Sequence, residues 1–445
     1  FSAGLFIVPL QAFIQYRSLV YYQESESKLF NRQVGGISPT LLLRNREQTN
    51  KHEIDSVGFN LIGDKQLYTA NSQHSISYGL NYEARTLENN FIRTDLPFFP
   101  TYIEETNNIL GFAPTDSQRA GIFFQDNINF GQSNEWHLTP TARLDYLEVE
   151  PDTSGDYQNR LTEADLAAPK DYDNLSPSFS LSIANQVTDQ WLLSASYTYA
   201  NRAPTEEELS MLFTHGNTFI IIPNPDLEPE TSHAFELSAD ASYPWGTLSG
   251  TTFYTFYYDY IDPSVLVSEG ASGSPNINTP DNVGDVDIYG FEFGAEISLG
   301  YFDSFLDGVS LGGTTGKSVG INRTDDTWVN TIDPWKTVGW LAYNEPTNQR
   351  YGTRLTATYV DDKTRINYDD GNENLVPSKA YFLLDWSAYY EINEHLTIYT
   401  GINNLLDRKY YKWSTLRRSV GHCDTYSDRL TEPARNYFIS AVATF

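Results

Sequence analysis

Apolar and polar residues alternate with a period of two through much of this 445-residue chain. In 381–392, Phe382, Leu384, Trp386, Ala388, Tyr390 and Ile392 share one face of an extended strand, and Asp385, Ser387 and Glu391 take the other. In 136–146, Trp136, Leu138, Ala142, Leu144 and Tyr146 oppose His137, Thr139, Thr141, Arg143 and Asp145. The C-terminal run repeats the pattern: Tyr437, Ile439, Ala441, Ala443 and Phe445 fall together, with Phe438 and Val442 as apolar exceptions on the polar side. Such alternation marks strands with one face in an apolar medium, because successive side chains point to opposite faces. About sixteen strands are predicted in this way, the first over 8–25, the next over 41–65 and 74–87, and the last over 435–445.

The connections alternate in length. Those at 186–189, 243–246, 345–348 and 393–394 are short; those at 88–117, 150–173, 202–230, 262–285, 366–378 and 407–434 are long. Counted back from Phe445, every long connection lands at the same end. Strands joined by short turns at one end and long loops at the other are the pattern of an all-β, transmembrane antiparallel β-barrel. A terminal aromatic on the last strand also resembles bacterial outer-membrane barrels. No run of about 18 apolar residues is present, so no transmembrane helix is expected.

Composition agrees with this picture. The 31 Tyr and 25 Phe suit strands and the aromatic belts at membrane interfaces. The formal charge of −29 argues against nucleic acid as a partner, since its backbone needs a basic stripe. Acidic runs at Glu206–Glu208, Asp361–Asp362 and Asp369–Asp370 read as solvated loops. The single cysteine, Cys423, allows no internal disulfide. It reads as an unpaired or partner-seeking thiol. No nucleophile set, zinc spacing or phosphate-cradling loop stands out, so no catalysis is expected.

Four segments carry a family resemblance: Gly401-Ile-Asn-Asn-Leu-Leu-Asp-Arg-Lys-Tyr-Tyr411, Asn201-Arg-Ala-Pro-Thr-Glu-Glu-Glu-Leu209, Pro223-Asn-Pro-Asp-Leu-Glu-Pro-Glu-Thr231 and Asp287-Ile-Tyr-Gly-Phe-Glu292. In order and spacing they resemble the C-terminal barrel of TonB-dependent outer-membrane receptors, from about residue 118 onward; 1–117 match in texture alone. Within that family the chain looks most like the haem and haemoglobin receptors. These carry an Arg-Ala-Pro box and an Asn-Pro-Asp-Leu box around one extracellular loop, with a histidine between them. Here the boxes are Arg202–Pro204 and Asn224–Leu227, and the histidine is His215. Asn201 stands where the box normally begins with Phe.

The resemblance implies a barrel of about 22 strands with a plugged lumen, in the bacterial outer membrane among lipid and lipopolysaccharide. The plug, the energy-coupling segment and the first strands are not recognisable, so 1–445 is read as barrel only. It implies energy-coupled import of haem taken from haemoglobin or another haem protein, driven by the TonB complex through a region outside this chain. A siderophore receptor of the same fold and a passive porin are the rival readings.

The residues themselves fit haem as the transported ligand, which needs an axial ligand for iron and an apolar wall for the porphyrin. His215 is the candidate iron ligand, with Phe213 and Phe219 as walls and Arg202 as the partner of a propionate. His422, on the last long loop, is a second candidate for the iron, and Cys423 beside it a thiolate alternative. An apolar run, Phe219–Ile222, is unusual on an external loop. It either walls the ligand or packs the loop onto the barrel rim.

Overall fold

The computed structural model describes residues 3–7, 14–36, 44–96, 105–108, 111–215, 219–270, 275–368, 375–417 and 428–444. Phe445 lies outside them. One antiparallel sheet of 19 strands dominates. Two of these, Glu105–Asn108 and Thr327–Trp328, are short additions, leaving 17 in the wall. The alternation places sixteen of them; Ala3–Ile7 is the additional one.

The cross-strand register carries the alternation from strand to strand. Phe235, Leu237 and Ala239 pair with Tyr197, Ala195 and Leu193 on one side, and with Tyr254, Thr252 and Gly250 on the other. The result is a continuous apolar face, with Leu237 60% and Ile439 78% exposed. Exposed apolar area on this scale cannot be kept in water and marks a surface that meets lipid. The opposite face carries Ser194, Ser196, Glu236, Ser238 and Asp240. The expected exception Phe438 lies on this polar face, over Gly401. A Cβ on Gly401 would lie 2.5 Å from the Phe438 ring, so glycine here makes room for the aromatic.

The short turns 131–135, 187–190, 244–245 and 394–395 fall at one end, and the long connections 203–229 and 259–285 at the other. The strand Ser72–Leu96 continues through most of the first half of the expected 88–117 loop. It pairs with Thr115–Phe130 as far as Leu87, and residues 88–96 then go on pairing with 45–53. Nine residues add about 30 Å to the wall. This extension lies at the long-loop end and shows no period-two signal.

Among the described residues, Asn436–Ala443 pairs only with Leu396–Asn403, and Ala3–Ile7 only with Ile14–Gly36. The described pairings thus give each of these two strands one neighbour.

Gly401→Val should drive a methyl into Phe438 and cost about 1–3 kcal/mol. Thermal unfolding in detergent micelles checks this, and adding Phe438→Ala should recover part of the loss.

Candidate functional site

A small second sheet stands at the long-loop end. Its strands, in order, are Phe213–His215, Phe219–Ile221, Asn276–Asn282 and Ile261–Ser268. The first two form a hairpin with His215 opposite Phe219 and Phe213 opposite Ile221. The second runs parallel to Asn276–Asn282, so the sheet joins the 203–229 and 259–285 loops. The hairpin tip 216–218 and the His215 imidazole lie outside the described residues, as do His422 and Cys423.

Two apolar clusters hold this sheet to the rim. Ala113, Tyr157, Leu161 and Leu212 pack with Ile222; Leu147, Val149, Leu209, Leu227 and Ile261 form the other. A fully buried side chain of this size stabilises by about 1.5–3 kcal/mol. Ile221 and Ile222 thus anchor the loop, while Phe213 and Phe219 stay half-buried beside His215. The apolar run divides between both readings: its end packs, and its start remains accessible.

Arg202 is the clasp of the loop base. Its Nε and Nη2 donate to Glu230 at 2.8 and 3.0 Å, and Nη1 donates to Glu208 at 2.9 Å. Glu230 also accepts the Ile261 amide at 3.0 Å. The guanidinium therefore joins the two feet of the 203–229 loop, and Glu230 joins that loop to the start of the next. The group of one cation and two carboxylates is net negative, so a propionate gains little by approaching it. This geometry gives Arg202 a role in holding the loop.

The acidic run after it is not a solvated loop. Thr205 caps the short helix Glu206–Ser210, its hydroxyl accepting from the Glu208 amide while Glu208 accepts from the Thr205 amide, a reciprocal capping box. Glu206 is 3% exposed. It lies 3.3 Å from Arg85 and 3.4 Å from Arg119 and accepts from Ser117 at 3.0 Å. Burial pushes its carboxyl up, but its own amide, the two arginines and Ser117 outweigh burial and hold it below the usual range. Sequence reading missed Glu206, Glu208 and Glu230, because nothing local shows that arginines from distant strands converge on them.

The second box docks likewise. Asn224 donates to the Pro280 carbonyl at 2.9 Å, and Asn282 donates to the carbonyls of Glu228 and Asp259 at 3.0 and 2.7 Å. In the late box, Asn404 adopts φ 53 and its side chain closes a turn onto Arg408, while Asp407 accepts the Arg435 amide. Two histidines of the strands have ordinary partners. His233 Nδ1 is 2.8 Å from the Tyr197 hydroxyl, and His74 Nδ1 is 2.7 Å from Asp126. Among the described residues, no group of three or more His, Cys, Asp or Glu side chains is placed to hold a metal ion.

An antiparallel wall with one lipid-compatible face and its long loops packed at one end defines a transmembrane β-barrel of the receptor type. The model of the "TonB dependent receptor-like, beta-barrel" family matches residues 9–405, and the chain belongs to that family. Similar proteins include the hemoglobin-binding protein A of Haemophilus influenzae, 31% identical over 57% of this chain and 27% of the relative. Another is the hemoglobin-haptoglobin utilization protein B of Neisseria meningitidis, 28% identical over 57% of this chain and 35% of the relative. The chain thus spans about a third or less of these relatives' length. Among solved structures, the copper transporter OprC matches over 98% of this chain and 63% of its own, with TM-score 0.74 and 17% identity. The unliganded ferric citrate transporter FecA matches over 99% and 60%, with TM-score 0.69 and 13% identity. Both share the fold.

Arg202→Ala should leave the buried Glu230 carboxylate without its cation and cost about 1–3 kcal/mol of loop stability, read as proteolysis within 203–229. Acid should loosen the same loops. Glu206 has a lowered folded pKa, so its stabilisation is full above the ordinary carboxylate range and is lost as pH falls through the lowered value. Protease protection should fall in that window, and Glu206→Gln should remove this part of the acid response.

Proposed function

We propose that this chain is barrel from an outer-membrane receptor that imports haem, taken from haemoglobin or another haem protein. The observation that carries the reading is the hairpin that sets His215 opposite Phe219. It is held at the mouth by Arg202 and flanked by half-buried Phe213 and Phe219. The relatives' names, which speak of hemoglobin and hemoglobin-haptoglobin binding, support it. In this reading His215 ligates the iron, with His422 as a second ligand, and Phe213 and Phe219 wall the porphyrin.

Arg202 contributes by fixing the hairpin. Sheet edges left unpaired in hydrocarbon are untenable, so further strands from the same protein complete the cylinder. A plug and a segment that engages the TonB complex belong to the regions beyond 1–445. Outer-leaflet lipid and lipopolysaccharide cover the apolar face. The receptor binds and transports; it has no chemistry of its own.

The test is haem titration of the purified full-length receptor in detergent, followed by the Soret band. His215→Ala should weaken binding by about tenfold or more and shift the band, while His233→Ala should leave both unchanged. Unchanged haem affinity and spectrum in His215→Ala would remove the ligand assignment, and ferric-siderophore binding without haem binding would favour the rival receptor class.

A further inference from the structure

At the short-turn end, one connection is unlike its neighbours. Residues 299–308 join Val286–Ser298 to Val309–Asn322. Five of these ten are apolar: Leu299, Tyr301, Phe302, Phe305 and Leu306. The adjoining turn is polar, with the Thr347 and Asn348 amides each donating to the Glu345 carboxylate at 2.8 Å. The turn 187–190 likewise offers Thr188, Asp189 and Gln190. In 299–308, by contrast, Phe305 is 90% exposed, and Tyr301 and Phe302 are exposed beside it. Two turns of 3₁₀ helix, Leu299–Tyr301 and Ser304–Leu306, carry these side chains. The Phe302 amide donates to the Leu299 carbonyl at 3.0 Å, and the Leu306 amide to the Asp303 carbonyl at 2.9 Å. At the feet, the Ser298 amide donates to the Trp245 carbonyl and the Asn344 amide to the Gly308 carbonyl, both at 2.8 Å. The segment is thus a knob tied to the turns on either side, with its aromatic rings left outside.

Those rings continue the apolar face of the wall. Ile297 pairs with Leu311, and Leu311 with Leu341, close to the turn, and Leu311 and Leu341 are exposed. Trp191 shares a face with Leu193, and its indole donates to the Tyr243 hydroxyl at 2.8 Å. Tyr243 stacks on Trp245 with ring centres 4.9 Å apart. Trp245 lies 6.4 Å from Phe302, and Phe302 meets Tyr301 edge-on at 5.3 Å. An unbroken aromatic run therefore leads from the wall to the knob, and such rings collect where a bilayer meets water. The segment holds two acids, Asp303 and Asp307, and both turn back on its own backbone. The Asp303 carboxylate accepts the Phe305 amide at 2.9 Å. Asp307 folds over Gly300, where a Cβ would lie 2.5 Å from its carboxylate oxygen. Aromatic tips and inward-turned acids suit the headgroup zone, where an amphipathic segment lies with its apolar side chains about 5–10 Å deep.

We infer that 299–308 is a membrane foot: Tyr301, Phe302 and Phe305 enter the periplasmic leaflet beside the wall and hold to its phospholipid. This rests on the wall's crossing the outer membrane and is independent of the haem reading. The test uses the full-length receptor in vesicles of phosphatidylethanolamine and phosphatidylglycerol, with Cys423→Ser and any further cysteines replaced. A nitroxide is attached in turn at Phe305→Cys, at Tyr301→Cys, at Leu237→Cys on the apolar face and at Thr188→Cys in the polar turn. Oxygen concentrates in hydrocarbon, and a neutral nickel chelate stays in water. Oxygen collisions should exceed nickel collisions severalfold at 305 and 301, as at 237, and the order should reverse at 188. Nickel access at 305 as high as at 188 puts the knob in water and overturns the foot. Shielding of 305 from both probes marks a protein contact there and overturns it too. A label at 237 that meets nickel rather than oxygen overturns the placement of the wall itself, a failure distinct from that of the foot.

Discussion

Everything in this molecule follows from the requirement that no backbone amide or carbonyl be left bare in hydrocarbon. Ladder pairing from strand to strand answers it across the wall. It forces period two on the side chains, confines irregular backbone to the ends, and hands each loop to the aqueous side already fixed at both feet. The loops are then free to vary in length, and the long ones contribute to three apolar clusters at the mouth.

That requirement also decides what the sequence reveals. Where the wall crosses lipid, the alternation of Phe382, Leu384 and Trp386 or of Trp136 and Leu138 marks the strands, because lipid demands an apolar residue at every second position. Residues 88–96 are equally extended but escape notice, because water makes no such demand on them. The pairing of Asn436–Ala443 is invisible for a different reason: the strand's pattern says which face meets lipid and nothing about which neighbour it has.

The loop site was legible in its parts and not in its assembly. The Arg-Ala-Pro and Asn-Pro-Asp-Leu boxes stand out as strings, and so does His215 between them. Their work appears only in three dimensions. Arg202 serves Glu230 and Glu208, Asn224 serves Pro280, and Glu206 meets arginines from strands far away in the chain. A motif that marks a family need not touch its ligand. Here its identifiable residues are fasteners, and the surfaces they expose, Phe213 and Phe219 among them, carry no distinctive string.

Glu230 has a consequence for motion. A single carboxylate receives both the guanidinium that closes one loop and the amide that opens the next. The small sheet joins the same loops higher up. Two connections made at separate points turn neighbouring loops into one stiff lever. A displacement of the Phe213–Ile221 hairpin would therefore reach the adjoining strand pair as well.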